Sequence, residues 1–286
     1  MATETIVSMS PKSNGEREAG PQDRPLSLLS PTGLASIMIP CCGQLEYTKL
    51  LVPSLLRHTR QPFELIFLDI GALDGTAEYL AGLADAASVR VEVVKTDTDL
   101  GIAQAIDGAL KQARGEYLVL LNNDTIVTAG WLDQLVALAK MSPAFGLVGP
   151  MSNHAAPPQL VEELPYRIRA QGTGVRGQTS GEGSGARGKD VEAVEAFAVK
   201  WREEHKGKWG EVERLGGFCL LIKRDVLKRI GHLREEPWDL GLFDTDTLST
   251  KARMAGFTLA LCRDVYVHHF GTRTFAHGAP RGKDEG

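Results

Sequence analysis

Carboxylates recur at the ends of short apolar runs in this chain: Asp69, Asp74, Asp97, Asp99 and Asp124. A carboxylate in such a place can accept hydrogen bonds from the first turn of a helix, or it can hold a hard cation. Asp74 suits the capping role, ahead of a helical pattern through Tyr79, Leu80 and Leu83. Asp124 suits it poorly. It is wedged between Tyr117-Leu-Val-Leu-Leu121 and Thr125-Ile-Val127, where an ionised group is costly unless it is paired or bound to a metal. Asp244 and Asp246 precede a helical pattern through Ala255, where acidic groups complement the partial positive charge of a helix N-terminus. His268 and His269 are adjacent in a final apolar run; a strand would point them to opposite faces, leaving at most one for a given site.

The frame that must position these groups is legible from periodicity. Ala35–Pro40, Phe63–Asp69, Val91–Val94 and Tyr117–Leu121 predict strands. Between and after them Tyr47–His58, Asp74–Leu83, Ile102–Ala113 and Trp131–Lys140 predict helices, the first kinked or delayed by Pro53. Strands too apolar to face water, alternating with helices, imply an α/β fold: an open, doubly wound, mostly parallel sheet covered on both faces. Ligands of such sheets bind outside the carboxyl ends of the strands. Those ends carry Pro40-Cys-Cys-Gly-Gln44, Asp69 to Asp74, Lys95 to Gly101, and Asn122-Asn-Asp124. Further along, a helix is expected from Asp190 through Trp201, a strand over Gly216–Ile222, a helix over Asp225–Ile230 and a strand over Val265–Phe270.

Composition removes several function classes. The 286 residues carry a net charge of −4, which offers no basic face for nucleic acid. No apolar run approaches the roughly 20 residues of a membrane span. Residues 1–33, rich in Ser, Pro, Glu and Gly, read as a disordered tail without a secretory signal. The four cysteines, Cys41, Cys42, Cys219 and Cys262, lack zinc spacing and read as reduced, buried thiols. Gly172-Thr-Gly-Val-Arg-Gly177 has the spacing of a dinucleotide-binding turn but lacks the strand before it and the helix after it. The stretch Ala170–Lys189 is therefore expected to be a flexible loop, equally a lid or a surface insertion.

The ordered blocks from about Ala35 to Phe275 resemble the family 2 glycosyltransferases of the GT-A fold. The blocks are Ser36–Pro40, Phe67-Leu-Asp-Ile-Gly-Ala-Leu-Asp-Gly-Thr76, Asp99-Leu-Gly101, Gly115–Thr125, Gly217–Arg224 and Val267–Phe275. The resemblance implies an inverting, metal-dependent transfer of a single sugar from a nucleotide-diphosphate sugar, a UDP- or dTDP-sugar foremost, to an acceptor hydroxyl. It implies a role in glycan or cell-surface polysaccharide assembly. Asp69 with Pro40 to Gln44 would meet the base, and Asp99 and Gly101 would line the nucleotide pocket. Asn122 would stand where the first acidic residue of the family's D-x-D sits, and Asn123 would also face the nucleotide-sugar. Asp124 with His268 or His269 would hold Mn2+ or Mg2+, and Asp246 or Asp244 would be the general base.

Implied boundaries are a tail at 1–33, a nucleotide-sugar half at 34–160, an insertion at 161–214, a contiguous acceptor-binding half at 215–276 and a tail at 277–286. Implied partners are the donor and a glycan, lipid-linked or protein acceptor. The expected location is cytoplasmic, with peripheral attachment at the inner membrane face left open. The sequence also departs from the pattern. Cys41-Cys42-Gly43 replaces the usual aromatic and Asn, Ile70-Gly71-Ala72 replaces Asn-Gly-Ser, and Thr245 stands at the customary base position. These departures support an alternative, a degenerate domain that binds nucleotide or glycan without turnover.

Overall fold

The computed structural model describes residues 6–8, 33–96, 101–166, 168, 183–230 and 245–271. The predicted alternation is present through the first half: β2 (Ala35–Cys41), α1 (Leu45–His58), β3 (Phe63–Ile70), α2 (Thr76–Ala86), β4 (Val91–Thr96), α3 (Gly101–Gln112), β5 (Tyr117–Leu121), a short β6 (Thr125–Ile126) and α4 (Trp131–Met141). There follow β7 (Phe145–Met151), α5 (Gly183–His205), β8 (Trp209–Val212), β9 (Cys219–Lys223), α6 (Arg224–Ile230), α7 (Thr245–Met254), β10 (Thr258–Tyr266) and β11 (His268–His269). With β1 (Ile6–Ser8) at one edge, the main sheet has the order β1-β4-β3-β2-β5-β9-β7-β10-β8. β4, β3, β2 and β5 are parallel neighbours, as are β7 and β10, whereas β9 runs antiparallel between β5 and β7.

Strand periodicity divides the core between the two faces. Ile37 and Ile39 of β2, Leu65 and Phe67 of β3, and Val119 and Leu121 of β5 pack with Leu51 and Leu55 of α1 and Trp131 and Leu135 of α4. The intervening Met38, Ile66, Leu68, Leu118 and Leu120 pack with Ile106 and Ala109 of α3 and Val194 and Ala198 of α5. A strand buried on both faces must be apolar at every position, which is why β5 reads as an unbroken run.

Several expectations are corrected. The N-terminal tail supplies β1: Ile6 and Val7 are β-branched and pair with Val94 and Val93, covering the β4 edge. Pro53 neither delays nor ends α1, which starts at Leu45 and continues to His58. The helix expected from Asp190 begins earlier, at Gly183, inside the Gly-rich stretch. Within residues 161–214, β8 pairs with β10, and Val194 and Ala198 enter the core. β7 was invisible to periodicity because Gly146, Gly149 and Pro150 interrupt its apolar run.

Candidate active site

The carboxyl ends of β2, β3 and β5 share one edge of the sheet, and the turns leaving them are tied together by buried hydrogen bonds. Asn123 is fully buried, and its amide donates to Gly43 O at 3.0 Å and Thr48 Oγ1 at 3.1 Å. That links the turn after β5 to the turn after β2. Asp74 links the latter to the turn after β3: its Oδ2 accepts the Leu45 amide at 2.8 Å and its Oδ1 the Thr76 hydroxyl at 2.5 Å. Asp74 therefore caps α1 across space as well as α2 locally. Gly43 has φ 92 and lies against Asp74, so this turn takes glycine for conformation and for room. Gln44 precedes α1 in the left-handed region, and Pro40 is buried in β2 opposite Leu68.

Asp69, at the end of β3, is buried and accepts the Ala72 amide at 3.3 Å. Burial raises its carboxyl above the ordinary range, against the Ala72 bond and Lys95 on neighbouring β4. The rest of this turn is apolar, and Leu73 is fully exposed. Cys42 lies beside it, its thiol pushed up to about 11 by burial and by Asp69. Gly101 opens α3, while Asp97, Asp99 and Asp244 lie outside the described residues.

The densest geometry surrounds Asp124. Its carboxylate is completely buried, and its backbone carbonyl accepts the Phe270 amide at 2.9 Å. β6 pairs antiparallel with β11, setting His269 opposite Thr125 and His268 opposite Ile126. His269 Nε2 lies 3.4 Å from Asp124 Oδ1 and 3.3 Å from the Asn122 amide nitrogen. Its Nδ1 lies 2.9 Å from the His154 carbonyl. A carbonyl only accepts, so Nδ1 carries a proton and, in the neutral ring, Nε2 bears the lone pair that faces Asp124. Phe218 stacks on the ring at 5.4 Å, and the exposed His154 ring meets it edge-on at 5.2 Å.

His268 points the other way. Its Nδ1 lies 3.0 Å from the Tyr166 hydroxyl and 3.4 Å from that of Tyr266. Burial, with His269 adding, pushes it down to about 3, so it is neutral at ordinary pH. Tyr266 is raised by burial, and Tyr166 is pushed up to about 12.

Asp246 is exposed in the first turn of α7. This helix precedes β10, which is parallel to β7 and so to β5; its N-terminus opens at the same edge as Asp124. Asn153, His154, Tyr166 and Tyr266 went unremarked in the sequence, since no local spacing marks contacts made across the fold.

A divalent cation matches this donor set. Asp124 offers a hard oxygen and His269 an imidazole nitrogen, and their separation exceeds an ordinary hydrogen bond. Among the described residues no group of three or more His, Cys, Asp or Glu side chains is arranged to hold a metal. Two protein ligands suit ions that keep other positions for water and phosphate oxygens.

Comparison with known proteins adds the following. A model of glycosyl transferase family 2 matches residues 36–231. The protein y4gI of Sinorhizobium fredii is 27% identical over 228 residues, covering 79% of this chain and 23% of that one. The O-antigen biosynthesis protein RfbC of Myxococcus xanthus is 34% identical over 120 residues, 41% of this chain and 9% of that one. Among solved structures, the mannosyltransferase PcManGT of Pyrobaculum calidifontis, in complex with GDP-Man and Mn2+, is 20% identical with a TM-score of 0.56. The match covers 86% of this chain and 60% of that one. The chain thus spans less than two thirds of each of these proteins, and the structural likeness establishes a shared GT-A fold.

Proposed function

The chain belongs to glycosyl transferase family 2, and from that premise we propose that it moves one sugar from a nucleotide-diphosphate sugar to an acceptor hydroxyl, with inversion, in polysaccharide assembly. The observation that carries the reading is the placing of His269 Nε2 3.4 Å from the buried Asp124 carboxylate, with Nδ1 committed to the His154 carbonyl. Asp124 and His269 would hold Mn2+ or Mg2+, which when bound would supply Lewis-acid stabilisation to the departing diphosphate. His268, facing two tyrosine hydroxyls, supports the strand instead of ligating.

The remaining chemistry falls to the chain's own groups. Asp246 takes the proton of the acceptor hydroxyl as that oxygen bonds to the anomeric carbon. The bond from that carbon to the diphosphate oxygen breaks, and its electron pair leaves with the nucleoside diphosphate. Asp69 and the turn from Pro40 to Gln44 flank the base, with Asp99 and Gly101 completing the nucleotide pocket. Asn122 sits beside the diphosphate, and Asn123 braces the two turns. A UDP- or dTDP-sugar is the foremost donor class, and the acceptor is a glycan, lipid-linked or protein hydroxyl. Among the described residues no helix is long and apolar enough to cross a membrane.

The test is donor turnover by the purified chain across uridine, thymidine, guanosine and cytidine diphosphate sugars, with and without Mn2+. Release of nucleoside diphosphate that requires the cation, with an inverted product anomer by NMR, is expected. Nucleotide binding without turnover across a broad acceptor panel would replace this reading with a binding domain. The apolar turn at Ile70 to Leu73 is the observation that favours that alternative.

A further inference from the structure

Asn153 lies in the loop after β7 and makes three bonds that fix its amide without ambiguity. Its Oδ1 accepts the His269 amide at 2.9 Å and the Tyr266 hydroxyl at 3.1 Å. Its Nδ2 donates to the His269 carbonyl at 2.9 Å. The oxygen faces two donors and the nitrogen faces an acceptor, so a flipped amide would oppose like groups at each contact.

The side chain thus does for His269 what a neighbouring strand does, taking its N–H and supplying its C=O. On its other side His269 is paired with Thr125 of β6, the residue after Asp124. Between these two supports the backbone of His269 cannot rotate without breaking both. The next residue, His154, presents the carbonyl that receives Nδ1–H. Ser152 anchors the same loop through the Gln159 carbonyl and the Val161 amide, each at 2.8 Å.

We propose that Asn153 is a positioning residue of this site: by clamping the backbone of His269 and seating the His154 carbonyl, it holds Nε2 aimed at Asp124. The inference rests on the cation reading above and deepens it. Asn153 acts through His269, as outer groups that orient a metal ligand do.

The full-length chain is titrated with Mn2+ and free ion is followed by electron paramagnetic resonance, alongside 15N NMR of the metal-free protein. Asn153→Ala is expected to weaken Mn2+ binding about 10- to 100-fold, while turnover at saturating Mn2+ returns close to wild type. The protected Nδ1–H signal of His269 should be lost from this variant before any metal is added. Asn153→Asp keeps the oxygen for both donors but sets an acceptor against the His269 carbonyl, so it should also lose at least about tenfold. It keeps the size of the side chain, should Asn153→Ala fold poorly. Tyr266→Phe removes only one support and should stay within about threefold, a small part of an outer-group effect.

Wild-type Mn2+ affinity in both Asn153 variants, or lost turnover that excess Mn2+ does not restore, overturns the proposal. Failure of the cation reading looks different: Asp124→Asn would then bind Mn2+ as tightly as wild type.

Discussion

The turns after β5 and after β3 lie on the same edge of one sheet and are built on opposite principles. The first is polar and densely tied: Asn122, Asn123 and Asp124 engage Phe218, Gly43, Thr48, His269 and Phe270 through hydrogen bonds of 2.9 to 3.3 Å, and Asp124 Oδ1 lies 3.4 Å from His269. The second carries Asp69, which accepts the Ala72 amide, then Ile70, Gly71, Ala72 and a fully exposed Leu73. Where charge must be held, geometry is over-determined; where a flat base would rest, the surface is apolar and adaptable. The contrast teaches that the turn after β5 is held by many more polar contacts than the turn after β3.

Asp124→Asn attacks the densely tied side and has the largest expected effect. Cation-dependent donor turnover should fall more than about 100-fold, beyond what an outer-shell change costs, while circular dichroism stays unchanged. Turnover within tenfold of wild type would remove Asp124 from the chemistry. Asp246→Asn should cost on the order of 100-fold in kcat with little change in donor KM. The same loss in Asp244→Asn alone would move the base assignment.

Asp74→Ala sharpens the comparison at the level of stability, since Asp74 braces the two turns on the apolar side. Losing its bonds to Leu45 and Thr76 should destabilise by about 1–2 kcal/mol, read as a lower Tm. Burial raises the Asp74 carboxyl, but the bonds from Thr76 and Leu45 outweigh it and hold it below its ordinary value of 3.8. A depressed carboxylate stabilises the fold above that value and loses the contribution as pH falls through the lower, folded one. Acid unfolding monitored between pH 5 and 2 should therefore be shallower in Asp74→Ala; an identical acid limb would deny the brace.

Cys42 offers a finer probe of the base half. With a thiol pushed up to about 11, it should react slowly with iodoacetamide at pH 8 and faster as pH rises, and nucleotide should slow it further. Nucleotide-independent alkylation would place the base elsewhere. Smallest of all, Leu73→Ser should leave stability within about 0.5 kcal/mol, as for an exposed site, while any change in KM would tie the loop to a ligand.

Much of the frame was legible because double-sided burial writes itself as apolar runs, clearest in β2, β3 and β5. Asp124 stood out for the same reason, as a charge interrupting such a run. What the sequence hid was non-local. β9 enters between β5 and β7 against the direction of both, and nothing in Cys219–Lys223 announces its neighbours. The selection of His269 over His268 depends on which face meets Asp124, and the Asn153 clamp joins residues 116 positions apart. Strand alternation shows that the two histidines diverge, but only tertiary register decides which one turns inward.

The meeting of β6 with β11 also has a consequence in time. Asn122 touches His269 across 147 residues, so the loop to be closed is among the longest the chain contains. Such closure is entropically late, and contacts of this range slow folding. During synthesis the first strands can assemble well before His269 leaves the ribosome. On the proposed reading, cation binding then reports that β6 and β11 have met, and a nascent domain caught before that step would present β5 and Asp124 without His269 beside them.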